Sequence, residues 1–125
     1  MATDYEAIAH KVLAVFGEHD ADQRAQAIRE SFTEDVTFAD AEGTVVGQVD
    51  LNRKVQSLLD QAPTFVFAPV GEVRVVQNLT MLAWQLGPVG APPVLTGTDI
   101  CLIEDGLIKH LYTLLDGAPG PGQPA

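Results

Sequence analysis

The stretch Val94-Leu95-Thr96-Gly97-Thr98-Asp99-Ile100-Cys101-Leu102-Ile103 and its continuation Glu104-Asp105-Gly106-Leu107-Ile108-Lys109-His110-Leu111-Tyr112-Thr113-Leu114-Leu115 reads as a long β-hairpin. Asp105-Gly106 supplies the residues that a tight turn between strands favours, and apolar positions dominate on both sides. Alternation along the first strand puts Gly97, Asp99, Cys101 and Ile103 on one face. The second strand divides into Leu111, Thr113 and Leu115 against His110, Tyr112 and Leu114. Upstream, Gly87 to Pro93 holds two Gly and three Pro and is expected to be a loop. Leu79 to Leu86 is a strand entered through a tight turn at Gln77-Asn78. Phe65 to Val76 is another, with Pro69-Val70-Gly71 marking a bulge or bend.

The first half of the chain is helical in pattern. Thr3 and Glu6 have the spacing of a capping box, after which Ile8, Val12, Val15 and Phe16 recur at helical spacing. Asp20 and Gln23 repeat the capping pattern before a second stripe, Ala25, Ile28 and Phe32. The two helices are expected to pack as a hairpin about Gly17-Glu18-His19. Asp35 to Ala39 then turns β-rich, Asp40-Ala41-Glu42-Gly43 suits a turn, and Thr44-Val45-Val46 a short return strand. A third helix carries Leu51, Val55, Leu58 and Leu59 and stops before Pro63. Helices first and an antiparallel meander afterwards indicate an α+β domain. Three helices on one strongly curved sheet would leave an apolar hollow between the layers. Residues 1–116 are read as one domain, and Gly117 to Ala125, with three Gly and three Pro, as a disordered tail.

Composition narrows the function. The 125 residues include 7 Lys+Arg and 17 Asp+Glu, a formal charge of −10. That balance argues against nucleic acid and against an anionic membrane surface as partners. No apolar run is long enough to span a bilayer, and the first residues show no signal peptide, so a cytoplasmic protein is expected. The one cysteine, Cys101, excludes an internal disulfide framework and is expected to be buried strand core. His10, His19 and His110 have no ligand spacing, so no metal is expected. Gly87-Pro88-Val89-Gly90 is not a phosphate loop, and no cofactor is implied. Glu34-Asp35 and Glu104-Asp105 are expected to be solvated.

Three phrases, Ser31-Phe32-Thr33-Glu34-Asp35-Val36-Thr37-Phe38, Gly47 opening a helix, and Gly97-Thr98-Asp99-Ile100 through Glu104-Asp105-Gly106-Leu107-Ile108, occur in an order that resembles the SnoaL-like, ketosteroid-isomerase-like branch of the nuclear transport factor 2 superfamily. The similarity runs over roughly residues 4 to 116. It implies a cone-shaped α+β fold with three N-terminal helices on a curved, mainly antiparallel sheet, a deep pocket, and a homodimer. It does not imply one activity, since isomerases, cyclases, hydrolases, dehydratases and binders share the fold.

The resemblance places Asp40 where ketosteroid isomerases carry their general base, and desolvation beside Phe38 would suit a carboxylate to that work. Read from composition alone, Asp40 is a turn aspartate. Asp99 sits inside an apolar strand, where a free carboxylate is costly. The resemblance matches it to the acid that donates a hydrogen bond to the dienolate oxygen in the isomerases. The alternative is a structural pairing with Arg74, Lys109 or an edge hydroxyl. Two departures stand out. Val12 occupies the position of the isomerase's tyrosine donor, with Tyr5 about two turns away, and Thr113 stands where many relatives carry an aspartate.

Trp84 shares a strand face with Leu82 and Leu86. By the resemblance that face lines the cavity, with the indole N–H free to donate to a ligand; by composition alone Trp84 is core. The expected ligand wall is Val12, Phe16, Phe38, Leu82, Trp84 and Leu86, with Leu111, Thr113 and Leu115 from the last strand. Asp116 is expected to be solvated or capping, and His110 and Tyr112 to lie on the outer sheet face in a dimer contact. The leading expectation is a cofactor-independent acid–base enzyme for an apolar oxygenated molecule such as a steroid, terpenoid or polyketide, with Asp40 and Asp99 as the catalytic pair. The competing ones are a non-catalytic binding or structural member of the fold and a protein–protein module using the outer sheet face.

Overall fold

Three helices cover one face of a six-stranded mixed sheet in the computed structural model, which describes residues 3–117; β1 and β2 fall between the second and third helices and the other four strands follow as a meander. The tail expected beyond Gly117 lies outside the described residues. Helix α1 spans Tyr5–Phe16. Its cap is Asp4, not the expected Thr3: Asp4 Oδ1 accepts the Ala7 N–H at 3.0 Å. A carboxylate there also faces the positive end of the helix dipole, so it outcompetes the neighbouring hydroxyl. Helix α2, Ala21–Ser31, starts as expected at Asp20, whose Oδ1 accepts from Asp22 N at 3.0 Å and Gln23 N at 2.9 Å.

The inner stripe of α2 differs from the expected Ala25, Ile28 and Phe32. It is Arg24, Ile28 and Ser31, while Phe32 already opens strand β1. Arg24 is fully enclosed and donates to Glu18 O at 2.6 Å, Asn52 Oδ1 at 2.5 Å and Gln56 Oε1 at 2.6 Å. One guanidinium thus joins the α1–α2 connection to both α2 and helix α3, Gln48–Gln61. Five donors in a fixed fork make that bridge possible. The expected α1–α2 hairpin is looser than this α2–α3 pairing, because α1 lies chiefly across the far strands β3 and β4.

The strands are β1 (Phe32–Asp40), β2 (Gly43–Val46), β3 (Phe65–Val76), β4 (Leu79–Pro88), β5 (Leu95–Glu104) and β6 (Leu107–Leu115), in the sheet order β2-β1-β6-β5-β4-β3. All neighbours are antiparallel except β1 and β6, which run parallel with Phe38 beside Leu111. The β5–β6 turn is the expected one, with Asp105 at φ 52° and Gly106 at φ 80°. Strand β4 outruns the loop expected at Gly87: Gly87 and Pro88 pair with Val66 and Phe65. Within β3 the register slips between Val70 and Arg74, where Gly71 has φ 74°. That bulge bends the sheet around the helices.

The layer between sheet and helices is apolar. Ile8, Val12, Val15 and Phe16 of α1 meet Leu51, Val55 and Leu59 of α3, together with Val36, Phe38, Cys101, Ile103, Ile108 and Leu111 from the sheet. Burying such side chains contributes about 1.5–3 kcal/mol each against exposure. Cys101 is enclosed, as expected. Asp35 is solvent-exposed but reaches Lys109 Nζ at 2.9 Å. No helix among the described residues is long and apolar enough to cross a membrane.

Candidate functional site

The curvature opens a cavity of about 280 Å³ between the sheet, α1 and the end of α3, near the lower end of small-molecule sites, about 300–1,000 Å³. Its lining includes both Asp40 and Asp99, which lie 59 residues apart in the chain (99 − 40). Of the expected wall, Phe16, Phe38, Trp84, Leu86, Thr113 and Leu115 face it. Val12, Leu82 and Leu111 do not. They are 0–1% exposed and packed behind the wall, because their positions along each element point at the helix–sheet seam. Phe67, Leu58 and Gln61 are among the lining residues that were not foreseen, with Leu13, Ala62 and Leu95. Four aromatic rings run along it: Phe38–Phe16 at 5.4 Å, Phe16–Phe67 at 6.3 Å and Phe67–Trp84 at 5.5 Å between centroids. The last two contacts are edge-on, the geometry ring quadrupoles favour.

Asp99 is 5% exposed. It lies opposite Leu82 on β4 and Thr113 on β6, and Trp84 is one pleat further along. Neither Arg74 nor Lys109 pairs with it. Its Oδ1 accepts the Trp84 indole N–H at 3.0 Å and the Thr113 hydroxyl at 2.7 Å. The indole N–H expected to be free for a ligand is therefore already engaged. Oδ2 takes no hydrogen bond from the described residues and is not sealed off as the Thr33 and Thr80 hydroxyls are. Burial pushes the Asp99 carboxyl up to about 6, and the bonds from Thr113 and Trp84 pull part of the way back.

Asp40 ends β1 and lines the cavity. Its Oδ1 accepts the Glu42 N–H at 2.9 Å, the turn role that composition suggested. Oδ2 lies 3.3 Å from Lys54 Nζ of α3, which also reaches Glu42 Oε1 at 2.5 Å. The carboxylate expected to be desolvated beside Phe38 is mostly buried, but in an ion pair whose cation is mostly buried too. Burial works against the Lys54 ammonium, but its bonds to Glu42 and Asp40 outweigh that and hold its pKa above the ordinary value. Asp116, expected to be solvated, is exposed and accepts the Thr96 hydroxyl at 2.7 Å. Among the described residues no group of His, Cys, Asp and Glu could hold a metal ion.

Residues 9–111, most of the chain, match the family described as the SnoaL-like domain. The chain belongs to the SnoaL-like domain family. Among curated proteins, none matches it significantly. Solved structures resemble this SnoaL-like chain closely in shape. A provisionally assigned isomerase of the SnoaL-like family from Agrobacterium tumefaciens superposes with TM-score 0.86 at 24% identity, over 93% of this chain and all of its own. A provisionally assigned polyketide cyclase from Sinorhizobium meliloti gives 0.69 at 23% identity, over 86% of this chain and 93% of its own. A de novo designed protein with a curved β-sheet reaches 0.70 at 13% identity, over 94% of this chain and 89% of its own. The SnoaL-like shape is thus compatible with different proteins, and chemistry must be argued from side chains.

Proposed function

We propose that this SnoaL-like chain is a cofactor-independent acid–base enzyme of isomerase or cyclase type, acting on an apolar molecule that carries a carbonyl. What supports the reading is one arrangement: a buried carboxyl with an unengaged oxygen at the cavity wall and a second carboxylate in the lining of the same cavity. Asp40 would remove a proton from the carbon beside the carbonyl. Asp99, protonated, would donate a hydrogen bond from Oδ2 to the carbonyl oxygen as it becomes an enolate. Asp40 would return the proton to a different carbon, which balances an isomerisation. Phe16, Phe38, Phe67 and Trp84 would hold the apolar frame and keep water out.

The test is α-proton exchange in D₂O, followed by NMR on a panel of steroid-like and smaller cyclic enones. Exchange by the native protein that drops at least about a hundredfold in Asp40→Asn is the expected result. Binding of an enone with no exchange above buffer rejects it.

A second reading, a binding protein without turnover, draws on two observations: Val12 is sealed core where an oxyanion donor is expected, and Asp40 is held by Lys54. Under either reading we propose a homodimer through the outer sheet face, where Val66, Val70, Tyr112 and Leu114 are exposed. Sedimentation equilibrium showing a monomer at micromolar concentration rejects that part.

A further inference from the structure

We propose that Gly97 and Thr113 are positioning residues that fix which oxygen of Asp99 carries the proton. The inference rests on the reading that the cavity holding Asp99 is the functional site, but its geometry stands on its own. Trp84 and Gly97 face one another across β4 and β5, two residues from the Leu82–Asp99 pair. A Cβ on Gly97 would fall 2.9 Å from Trp84 Cε2 and 2.6 Å from Leu114 O, and would overlap Trp84 Cζ2 outright. The indole lies where a side chain at 97 would stand, and from that seat its N–H reaches Asp99 Oδ1 at 3.0 Å. Thr113, directly across from Asp99, supplies the second donor to the same oxygen at 2.7 Å.

Two donors on Oδ1 leave it little capacity for a proton of its own. The acid proton therefore sits on Oδ2, the oxygen that the described residues leave open. Without Gly97 the indole tips off its seat. Without the Thr113 hydroxyl the carboxyl is free to turn over. In both cases the acid presents its proton to the cavity for only part of the time. Thr113 cannot itself exchange a proton near neutral pH; it acts through Asp99. The other titratable groups around the cavity are Asp40 and Glu42 in the β1–β2 turn, with Lys54 behind them on α3. Cys101 follows on the same face of β5, and its thiol is neutral throughout the working range.

The experiment needs no ligand and no turnover, so failure of the enzyme reading leaves its outcome intact. Trp84 is the chain's one tryptophan, so its indole N–H gives a single NMR resonance. In the native protein that resonance should titrate with the same midpoint as the Asp99 carboxyl carbon. Thr113→Val should raise the midpoint by roughly one unit, the effect of one charge-assisted hydrogen bond, and Thr113→Ser should restore it. Gly97→Ala should move the indole resonance and raise the Asp99 midpoint as well. If Gly97→Ala fails to fold, the Thr113 pair carries the test. An Asp99 midpoint unmoved by Thr113→Val, or an indole resonance indifferent to Asp99 ionisation, overturns the proposal.

Discussion

Thr113 and Asp99 stand opposite one another on β6 and β5, and the hydroxyl donates to the carboxylate over 2.7 Å. The position where the resemblance led to an expected acid is thus filled by a donor to the acid next to it. Asp99 is the buried carboxyl of the cavity lining.

The pH profile follows from that. Burial raises Asp99 to about 6, so the free protein loses its neutral acid as pH climbs past that value. kcat/KM for enone proton exchange should fall about tenfold per unit above pH 6 to 7. Asp99→Asn keeps an amide donor that does not titrate, so it should be slower at pH 5 and show no break. A wild-type profile flat from pH 5 to 8 contradicts the role given to Asp99.

Stability carries the same signature with a definite sign. The folded chain holds the Asp99 proton up to about 6, against 3.8 as the ordinary value, so the native state binds more protons between the two. The favourable contribution is complete below about pH 4 and is lost as pH rises through 6. Asp99→Asn removes this loss. Its stability relative to the native protein should improve by about 2–3 kcal/mol between pH 4 and 7.5, in urea unfolding at several pH values. A pH-independent difference between the two proteins would count against a buried, shifted acid.

Arg24 is the polar side chain on which the helical layer depends. Arg24→Ala leaves three acceptors, from Glu18, Asn52 and Gln56, with no donor. The expected loss is about 3 kcal/mol or more, read from urea midpoints. Arg24→Lys should recover little, because one ammonium cannot span the same three partners.

Cys101 gives a probe of opening. Burial pushes its thiol up to about 12, and the side chain is enclosed in the core. Iodoacetamide should leave the folded protein unlabelled and modify one equivalent in urea, at a rate that follows global unfolding. Rapid labelling of the native state would mean that β5 opens locally.

The strand half of the fold was readable because its signals are local. Asp105-Gly106 forces a turn, Pro69-Val70-Gly71 marks the bulge, and alternation sets the faces of Asp99 and Trp84. What escaped depends on contacts far apart in sequence. Arg24 lies outside the stripe read from hydropathy, Ala25, Ile28 and Phe32, and is drawn inward by Asn52 and Gln56 of α3. Asp40 reads as a turn aspartate or a desolvated base, and its partner Lys54, 14 residues on (54 − 40), comes from α3. Val12, Leu82 and Leu111 were apolar in the right places, but hydropathy does not separate a cavity wall from the core behind it: Leu82 and Leu111 share a face with Trp84 and Thr113 and differ from them by one pleat along the strand.

The parallel junction of β1 with β6 has a consequence for how the molecule comes into being. β6 is the last of the described strands and lies in the middle of the sheet, so until residues 107–115 are made the β1–β2 ribbon has no sheet pairing to the β3–β5 meander. Within the sheet, the arm that bears Asp40 and the arm that bears Asp99 are joined through β6, while the helices pack across both. Closure must await the most distant pairing in the chain, which makes assembly slow for its size and leaves both arms with open edges while they wait.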